Sequence, residues 1–433
     1  MVDVWLPYGK TDVCVRVPAR NLLGSIEPKE QPGCADAKAE VERALRKPIP
    51  IGSKRLREIA DPESKVAIVV DDATRRTPTE AMLLPVLAEL NMAGVKYKNI
   101  TVIFGCGTHR PVTPEEEIKI LGEEALKRIT SVSHDCRAPD LVDIGTTQHG
   151  NKVYVNRVFS EANVRVLLGD AGFHYYAGYG GGRKSVLPAV AGEETIKHNH
   201  ALMLHANART GVLLENPVHD DMTEAARLAK VDFIVNVVTN SKNEVVKAFA
   251  GEMEETFHEA VKLVDEMFRV NIERRADIVV VSCGGFPADI NLFQAYKAVD
   301  GALEAVKRGG VIVLVAECPE GHGNQVFYDW MMRFGDLKTV EREIKRNFVL
   351  GGHKAYYLLK ALQNHQIILV SSLPDYYAVN IFKLKTARAV NDALNEAFNI
   401  AGKAARVWAI PYGNYTLPQF KEPAEEPAEL GQA

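Results

Sequence analysis

The stretch VAIVVDDATRRTP (Val66–Pro78) decides how this chain folds. Val66 to Val70 are consecutive apolar residues, the pattern of a strand buried on both faces, as parallel sheets require. Asp71 and Asp72 end the run and open a polar turn. Thr79 to Ala93 then reads as a helix, with Pro78 near its first turn. The same strand–loop–helix rhythm returns downstream. Ile100–Phe104 leads into GCGTHRPVT and a helix from Pro114, with Thr113 as N-cap and acids in its first turn. Val164–Leu168 runs into a glycine-rich segment, and Phe233–Val238 is a fourth strand. An α/β domain with a mostly parallel sheet is predicted.

A second α/β pattern begins near Asp277. Ile278–Ser282, Val311–Ala316, Ile367–Ser371 and Val407–Pro411 read as strands, and Ala295–Val306 as a helix. The polar segment Asn271–Ala276 follows a long helical run and is the expected boundary and hinge. The fold class expected is therefore two α/β domains with mostly parallel sheets and an active site in the interdomain cleft. The boundaries expected are 1–270, 277–411 and a C-terminal segment 412–433, whose acidic Pro/Ala-rich end reads as disordered.

With 433 residues the chain is too long for one ordinary core. A net charge of −4 argues against nucleic-acid binding through a large basic surface. No apolar run is long enough to cross a bilayer. The start, MVDVWLPYGK, lacks a basic region followed by an apolar run, so a cytoplasmic protein is expected. Six scattered cysteines without CxxC spacing read as reduced thiols.

Ligands of open α/β sheets bind beyond the carboxyl ends of the strands. Three polar clusters fall there: Asp71–Arg75, Gly107–Arg110 and the segment from His174 to His200, HYYAGYGGGRKSVLPAVAGEETIKHNH. The last combines glycines that let backbone approach a bulky ligand, a lysine able to form a covalent bond, and histidines able to bind metal or move protons. It is not a Walker A loop, because Arg183 stands where glycine is required and Pro188 interrupts the following helix. The spacing of its glycines also departs from the Rossmann fingerprint, which counts against a dinucleotide-dependent 2-hydroxy acid dehydrogenase. Cys106 with His109, and His134 with Cys136, have zinc-ligand spacing, so a zinc-stabilised nucleotide-binding protein is a further alternative. His198 and His200 are two apart on a helix and must point in different directions. Gln294 and Lys297 lie about one turn apart and can share a helix face.

DDATRRTP (Asp71–Pro78), GTHRPVTPEE (Gly107–Glu116), the loop Phe173–His200 and the Gln294–Lys297 pair occur together and in this order. In these pieces, and in length, the chain resembles the lactate racemase family, the nickel-pincer-nucleotide 2-hydroxy acid racemases and epimerases. The resemblance implies an isomerase that racemises lactate or a related short-chain 2-hydroxy acid by reversible hydride transfer through a 2-keto acid. It implies a nickel pyridinium-3,5-bisthiocarboxylic acid mononucleotide tethered at Lys184, with His200 as the protein ligand to nickel. Asp72, Ala73, Thr74 and Arg75 would contact the cofactor, and His109 and His174 would be the paired acid/base residues. Arg75, Gln294 and Lys297 would bind substrate, with Tyr296 and Tyr356–Tyr357 expected near its side chain. On this reading residues 1–270 carry cofactor and catalysis, and residues 277–411 close over substrate. Separate enzymes would make the cofactor and insert nickel.

Overall fold

A computed structural model describes residues 1–421; the expected disordered end lies outside the described residues from 422 onward. The chain divides into two compact units. One holds residues 29–267 with 345–348. The other holds residues 1–28, 268–344 and 349 onward.

The first unit is built on a six-stranded sheet. Its strands are β1 (Val66–Asp71), β2 (Ile100–Gly105), β3 (Thr130–Ser133), β4 (Val164–Asp170), β5 (Phe233–Thr239) and β6 (Val245–Gly251). Their order is β6-β5-β4-β1-β2-β3. Only β6, paired to β5, runs antiparallel. Helices α1 (Ala37–Arg46) and α2 (Thr79–Met92) cover one face, packing Val41, Leu45, Met82, Val86 and Leu90 against Val66, Ile68 and Val70. Ala67 and Val69 point to the other face and are equally buried. This two-sided burial is why the run from Val66 carries no polar alternation. α3 (Pro114–Leu121) starts at a capping box: Thr113 Oγ1 accepts the Glu116 N–H at 3.3 Å, and the Glu116 carboxylate accepts the Thr113 N–H at 3.0 Å. Further along lie α4 (Glu193–Ala201), α5 (Pro217–Leu228) and α6 (Met253–Phe268).

The second unit also holds a six-stranded sheet, and it is parallel throughout. Its order is Lys385–Ala387, Gln366–Val370, Val306–Val315, Ala276–Ser282, Val407–Ile410 and Leu22–Ser25. The helix expected over Ala295–Val306 runs instead from Leu292 to Ala302, because the Asn291 side chain caps the Gln294 N–H at 3.0 Å. The next strand therefore begins at Val306.

The boundaries expected for the N-terminal domain need correction. Residues 1–28 do not belong with the sheet that follows them in sequence. Leu22–Ser25 adds a parallel edge strand to Val407–Ile410, and the hairpin Val2–Tyr8/Thr11–Val17 buries Leu6, Val15 and Val17 in that unit's core. The expected boundary at Asn271–Ala276 lies a few residues late. Arg269–Ile272 already forms a strand with Leu417–Phe420, which also orders part of the segment 412–433. All six cysteines are free thiols, and no helix among the described residues is long and apolar enough to cross a membrane.

Candidate active site

The strands β1, β2 and β4 end side by side at Asp71, Gly105 and Asp170. The chain steps from β1 to β2 and β3 on one side, then to β4 and β5 on the other. That reversal makes the β1–β4 edge the topological switch point, where open sheets leave a crevice.

Asp72, just past β1, organises two neighbours at once. Its Oδ1 accepts the Thr74 N–H at 3.1 Å and the Thr74 hydroxyl at 2.6 Å. Its Oδ2 meets Nδ1 of His109 at 2.7 Å. Burial pushes this carboxyl up, but the His109 and Thr74 hydrogen bonds outweigh it and hold the group below the usual carboxylate range. The carboxylate therefore accepts from Nδ1–H, so in the neutral form of this half-exposed ring the lone pair lies on Nε2. Ala73, Thr74 and Arg75 stay exposed around this turn.

Asp71 and Asp170 both approach Thr77 Oγ1, at 2.5 and 3.1 Å. One hydroxyl proton cannot serve two carboxylates. Burial and the Asp170 charge push Asp71 up to about 6, and Arg75 partly offsets them. Arg75 faces Asp71, Asp170 and Asp72, which keep its guanidinium charged.

His174 is placed by a two-residue ladder, Phe173 with Tyr179 and His174 with Gly178. Its ring stacks on Tyr175 at 5.0 Å and meets the edge of Tyr176 at 4.4 Å. Its Nδ1 accepts the Ala177 N–H at 3.2 Å, so Nε2 is the nitrogen turned to other partners.

The glycine cluster has a different cause from the one expected. A Cβ on Gly178 would strike the Val212 carbonyl, one on Gly181 would sit 3.0 Å from the Asp170 carbonyl, and one on Gly182 would meet the Phe257 ring at 3.2 Å. Positive φ values of 76°, 86° and 53° at these positions also favour glycine. The bulk they avoid is the protein's own. The cluster lets the Gly182–Ser185 turn lie against β4 and α6, where the Gly182 N–H donates to Asn236 Oδ1 at 3.0 Å.

That turn carries Arg183 and Lys184 in opposite directions. Arg183 is buried, with its guanidinium 4.2 Å from the Phe257 ring centroid. Nε–H donates to Nδ1 of His219 at 3.0 Å, and the terminal nitrogens donate to the carbonyls of Gly181 and Ala177. Lys184 turns toward Arg75, Asp71, Asp170 and the Tyr176 ring, 5.9 Å away. Burial first, then Arg75, then Arg183 hold its ammonium well below the usual lysine range, which makes the amine a nucleophile. The sequence pointed to Arg183 as the cause; burial and Arg75 matter more.

α4 brings His200 to the same cluster, buried between Tyr176 and Phe348 at 5.2 and 5.3 Å. Burial and Lys184 push it down to about 3, so it is a neutral imidazole, the form that binds metal. His198 is exposed and reaches the His149 carbonyl, as the two-residue spacing requires.

The zinc-like pairs do not assemble. Cys106 is a buried thiol pushed up to about 11, and His134 spends Nε2 on the Ala191 carbonyl. Among the described residues no group of three His, Cys, Asp or Glu side chains could hold a metal. A metal held by His200 would need its remaining ligands from a bound molecule.

In the second unit Gln294 and Lys297 are both half-buried, three residues apart on the helix Leu292–Ala302. The aromatic residues expected near substrate are packing residues there: Tyr296 is buried and its hydroxyl donates to the Tyr357 carbonyl at 2.9 Å. Sequence reasoning passed over Tyr176, Asp170 and Lys354. Asp170 was within reach, because it ends an apolar strand as Asp71 does. Lys354 is buried, with Nζ 5.4 and 5.0 Å from the Phe293 and Tyr296 rings, and nothing in its helical surroundings marks it out.

Residues 8–211 match the lactate racemase N-terminal domain, and residues 270–416 match the lactate racemase C-terminal domain. Lactate racemase of Thermoanaerobacterium thermosaccharolyticum is 34% identical over 95% of this chain and 98% of its own. That of Lactiplantibacillus plantarum is 31% identical over 95% and 99%. The lactate racemase apoprotein structure from Thermoanaerobacterium thermosaccharolyticum superposes with a TM-score of 0.90 at 32% identity, covering 96% of this chain and 100% of that one. A Thermotoga maritima protein of 20% identity shares the fold with a TM-score of 0.67, over 89% of this chain and 98% of its own. With both domains matched in order and nearly the whole length covered, this chain belongs to the lactate racemase family of isomerases.

Proposed function

We propose that this protein interconverts the enantiomers of lactate or a related short-chain 2-hydroxy acid, using a nickel-pincer nucleotide tethered at Lys184. The observation that carries the reading is a desolvated amine at Lys184 beside the neutral imidazole of His200 and the charges of Arg75, Asp71 and Asp170, with the Asp72–His109 pair in the turn that follows Asp71. The residues fit the group: one amine able to form a covalent bond, one imidazole donor, and, among the described residues, no group of three metal-ligating side chains that would hold a metal without donors from a bound molecule.

When bound, the cofactor supplies a reversible hydride acceptor. Arg75 pairs with the substrate carboxylate, and Gln294 and Lys297 are the substrate-binding residues of the second unit. Nε2 of His109, bare because Nδ1 is held by Asp72, takes the hydroxyl proton of one enantiomer. His174 serves the hydroxyl of the other through its own Nε2. Ala73 and Thr74, in the turn that Asp72 closes, offer exposed contacts to the nucleotide. The protein works in the cytoplasm, where separate enzymes make the cofactor and insert nickel.

The test is intact mass and nickel analysis of protein co-produced with cofactor-making enzymes, followed by chiral assay on enantiopure 2-hydroxy acids. A Lys184 adduct with nickel, and racemisation that retains the substrate's carbon-bound hydrogen, is expected. Racemisation without an adduct, with solvent deuterium entering the stereocentre, overturns the reading.

A further inference from the structure

We propose that Asn199 and Asp221 are positioning residues, forming a buried Asp221–Asn199–His200 relay that fixes the His200 proton on Nδ1 and leaves Nε2 bare for a metal. The metal part of this inference rests on the function proposed above.

Asn199 on α4 and Asp221 on α5 are both fully buried. Asn199 Nδ2 donates to the Val218 carbonyl at 3.1 Å and to Asp221 Oδ2 at 2.8 Å. Both partners only accept, so the amide has one orientation that satisfies it. That orientation turns Asn199 Oδ1 to Nδ1 of His200, 3.2 Å away. An amide oxygen cannot donate. The proton therefore sits on Nδ1, and the lone pair of a neutral ring sits on Nε2. A second-shell partner of this kind fixes which nitrogen of a histidine can ligate.

The relay is itself anchored. Asp221 Oδ1 accepts the Thr147 hydroxyl at 2.5 Å, and Oδ2 also accepts from Asn151 Nδ2 at 2.8 Å. Asn151 Nδ2 donates as well to the Thr195 carbonyl at 3.1 Å, one helical turn before Asn199. Thr147 and Asn151 belong to the turn between the strands Val142–Thr146 and Lys152–Val155. A hairpin turn and two helices thus converge on one carboxylate, whose three donors leave Asn199 no alternative orientation. A role confined to holding α4 against α5 would need Asp221 and Asn199 but would be indifferent to where His200 keeps its proton.

The tautomer is read directly from imidazole nitrogen chemical shifts of nitrogen-15 histidine-labelled apoprotein, made without cofactor-making enzymes. His200→Gln assigns the resonances. Wild type is expected to show protonated Nδ1 and bare Nε2; protonated Nε2 overturns the relay. Asn199→Leu is expected to move the proton to Nε2 in most molecules. Asp221→Asn, which is isosteric, should move it in the same direction in a smaller fraction. An unchanged tautomer in both variants overturns the relay, and the wild-type spectrum decides even if Asn199→Leu does not fold. In matured protein, Asn199→Leu should keep the Lys184 adduct by intact mass while nickel affinity falls about 10–100-fold against a chelator. Wild-type nickel retention in Asn199→Leu, with loss in His200→Ala, overturns the relay. Wild-type retention in His200→Ala instead sinks the metal reading and leaves the tautomer result to stand or fall by itself.

Discussion

One oxygen of Asp72 closes its own turn through Thr74 while the other holds Nδ1 of His109 at 2.7 Å. The first contact fixes where the carboxylate is; the second fixes which nitrogen of the ring faces outward. Asp72→Asn preserves the shape but can present an N–H to Nδ1, favouring the wrong tautomer. Racemisation should drop on the order of 10²–10⁴-fold in both directions, with the Lys184 adduct unchanged by intact mass. His109→Ala and His174→Ala should show losses of similar size. Full activity in either histidine variant would remove it from the paired acid/base assignment.

Lys184 makes a stability prediction that needs no cofactor. Its folded pKa is depressed, so the fold gains full benefit only above the unfolded value and loses it as pH falls below about 10.4. At neutral pH the apoprotein carries this cost. Lys184→Met should raise the apoprotein Tm by at least about 2 °C at pH 7, with the gap narrowing toward pH 10. A lower Tm for the variant would show that the amine is well solvated.

Asp71 behaves with the opposite sign. Its folded pKa is raised to about 6, by burial and then Asp170. Its contribution is favourable below the unfolded value, near 4, and is lost as pH rises through about 6. Asn mimics the protonated acid. Asp71→Asn should therefore match wild type in Tm near pH 4 and exceed it near pH 8. Equal Tm values at both pH values would show that the Asp71–Asp170 pair is not strained.

Arg183 is a structural residue beside a chemical one. Its fork reaches His219, Gly181 and Ala177 and its plane lies on Phe257. Lysine has the charge but not the fork. Arg183→Lys should cost about 2–4 kcal/mol in urea unfolding, seen as a lower midpoint at constant slope.

The sheet that positions this site was legible because its strands are buried on both faces and end in polar residues. Val66–Asp72 announces both facts within seven residues. His109 stood out in the sequence because it follows an apolar strand, and Lys184 because it closes the glycine run; His200 stood out only by its residue type, since it lies in the last turn of α4. The glycines were legible as a requirement but not as a cause: φ and the Phe257 ring explain them, and neither is visible in GYGGG. Asp221 and Asn151 could not be found, because their partner sits far along the chain and each looks locally like an ordinary helix or turn residue. The N-terminal boundary failed for the same reason. Leu22–Ser25 carries no sign that its partner strand is Val407–Ile410.

That pairing dictates a timetable. Asn21 Nδ2 bonds to the Ala405 carbonyl across 384 positions of sequence. During synthesis the strand Leu22–Ser25 must wait without its neighbour until Val407–Ile410 leaves the ribosome. Residues 29–267 can complete their own sheet in the meantime. Release from the ribosome short of Val407 would leave Leu22–Ser25 and one side of Ala276–Ser282 unmated. Deleting Leu22–Ser25 should thus be felt at Val407–Ile410, as aggregation rather than as a mild loss of activity.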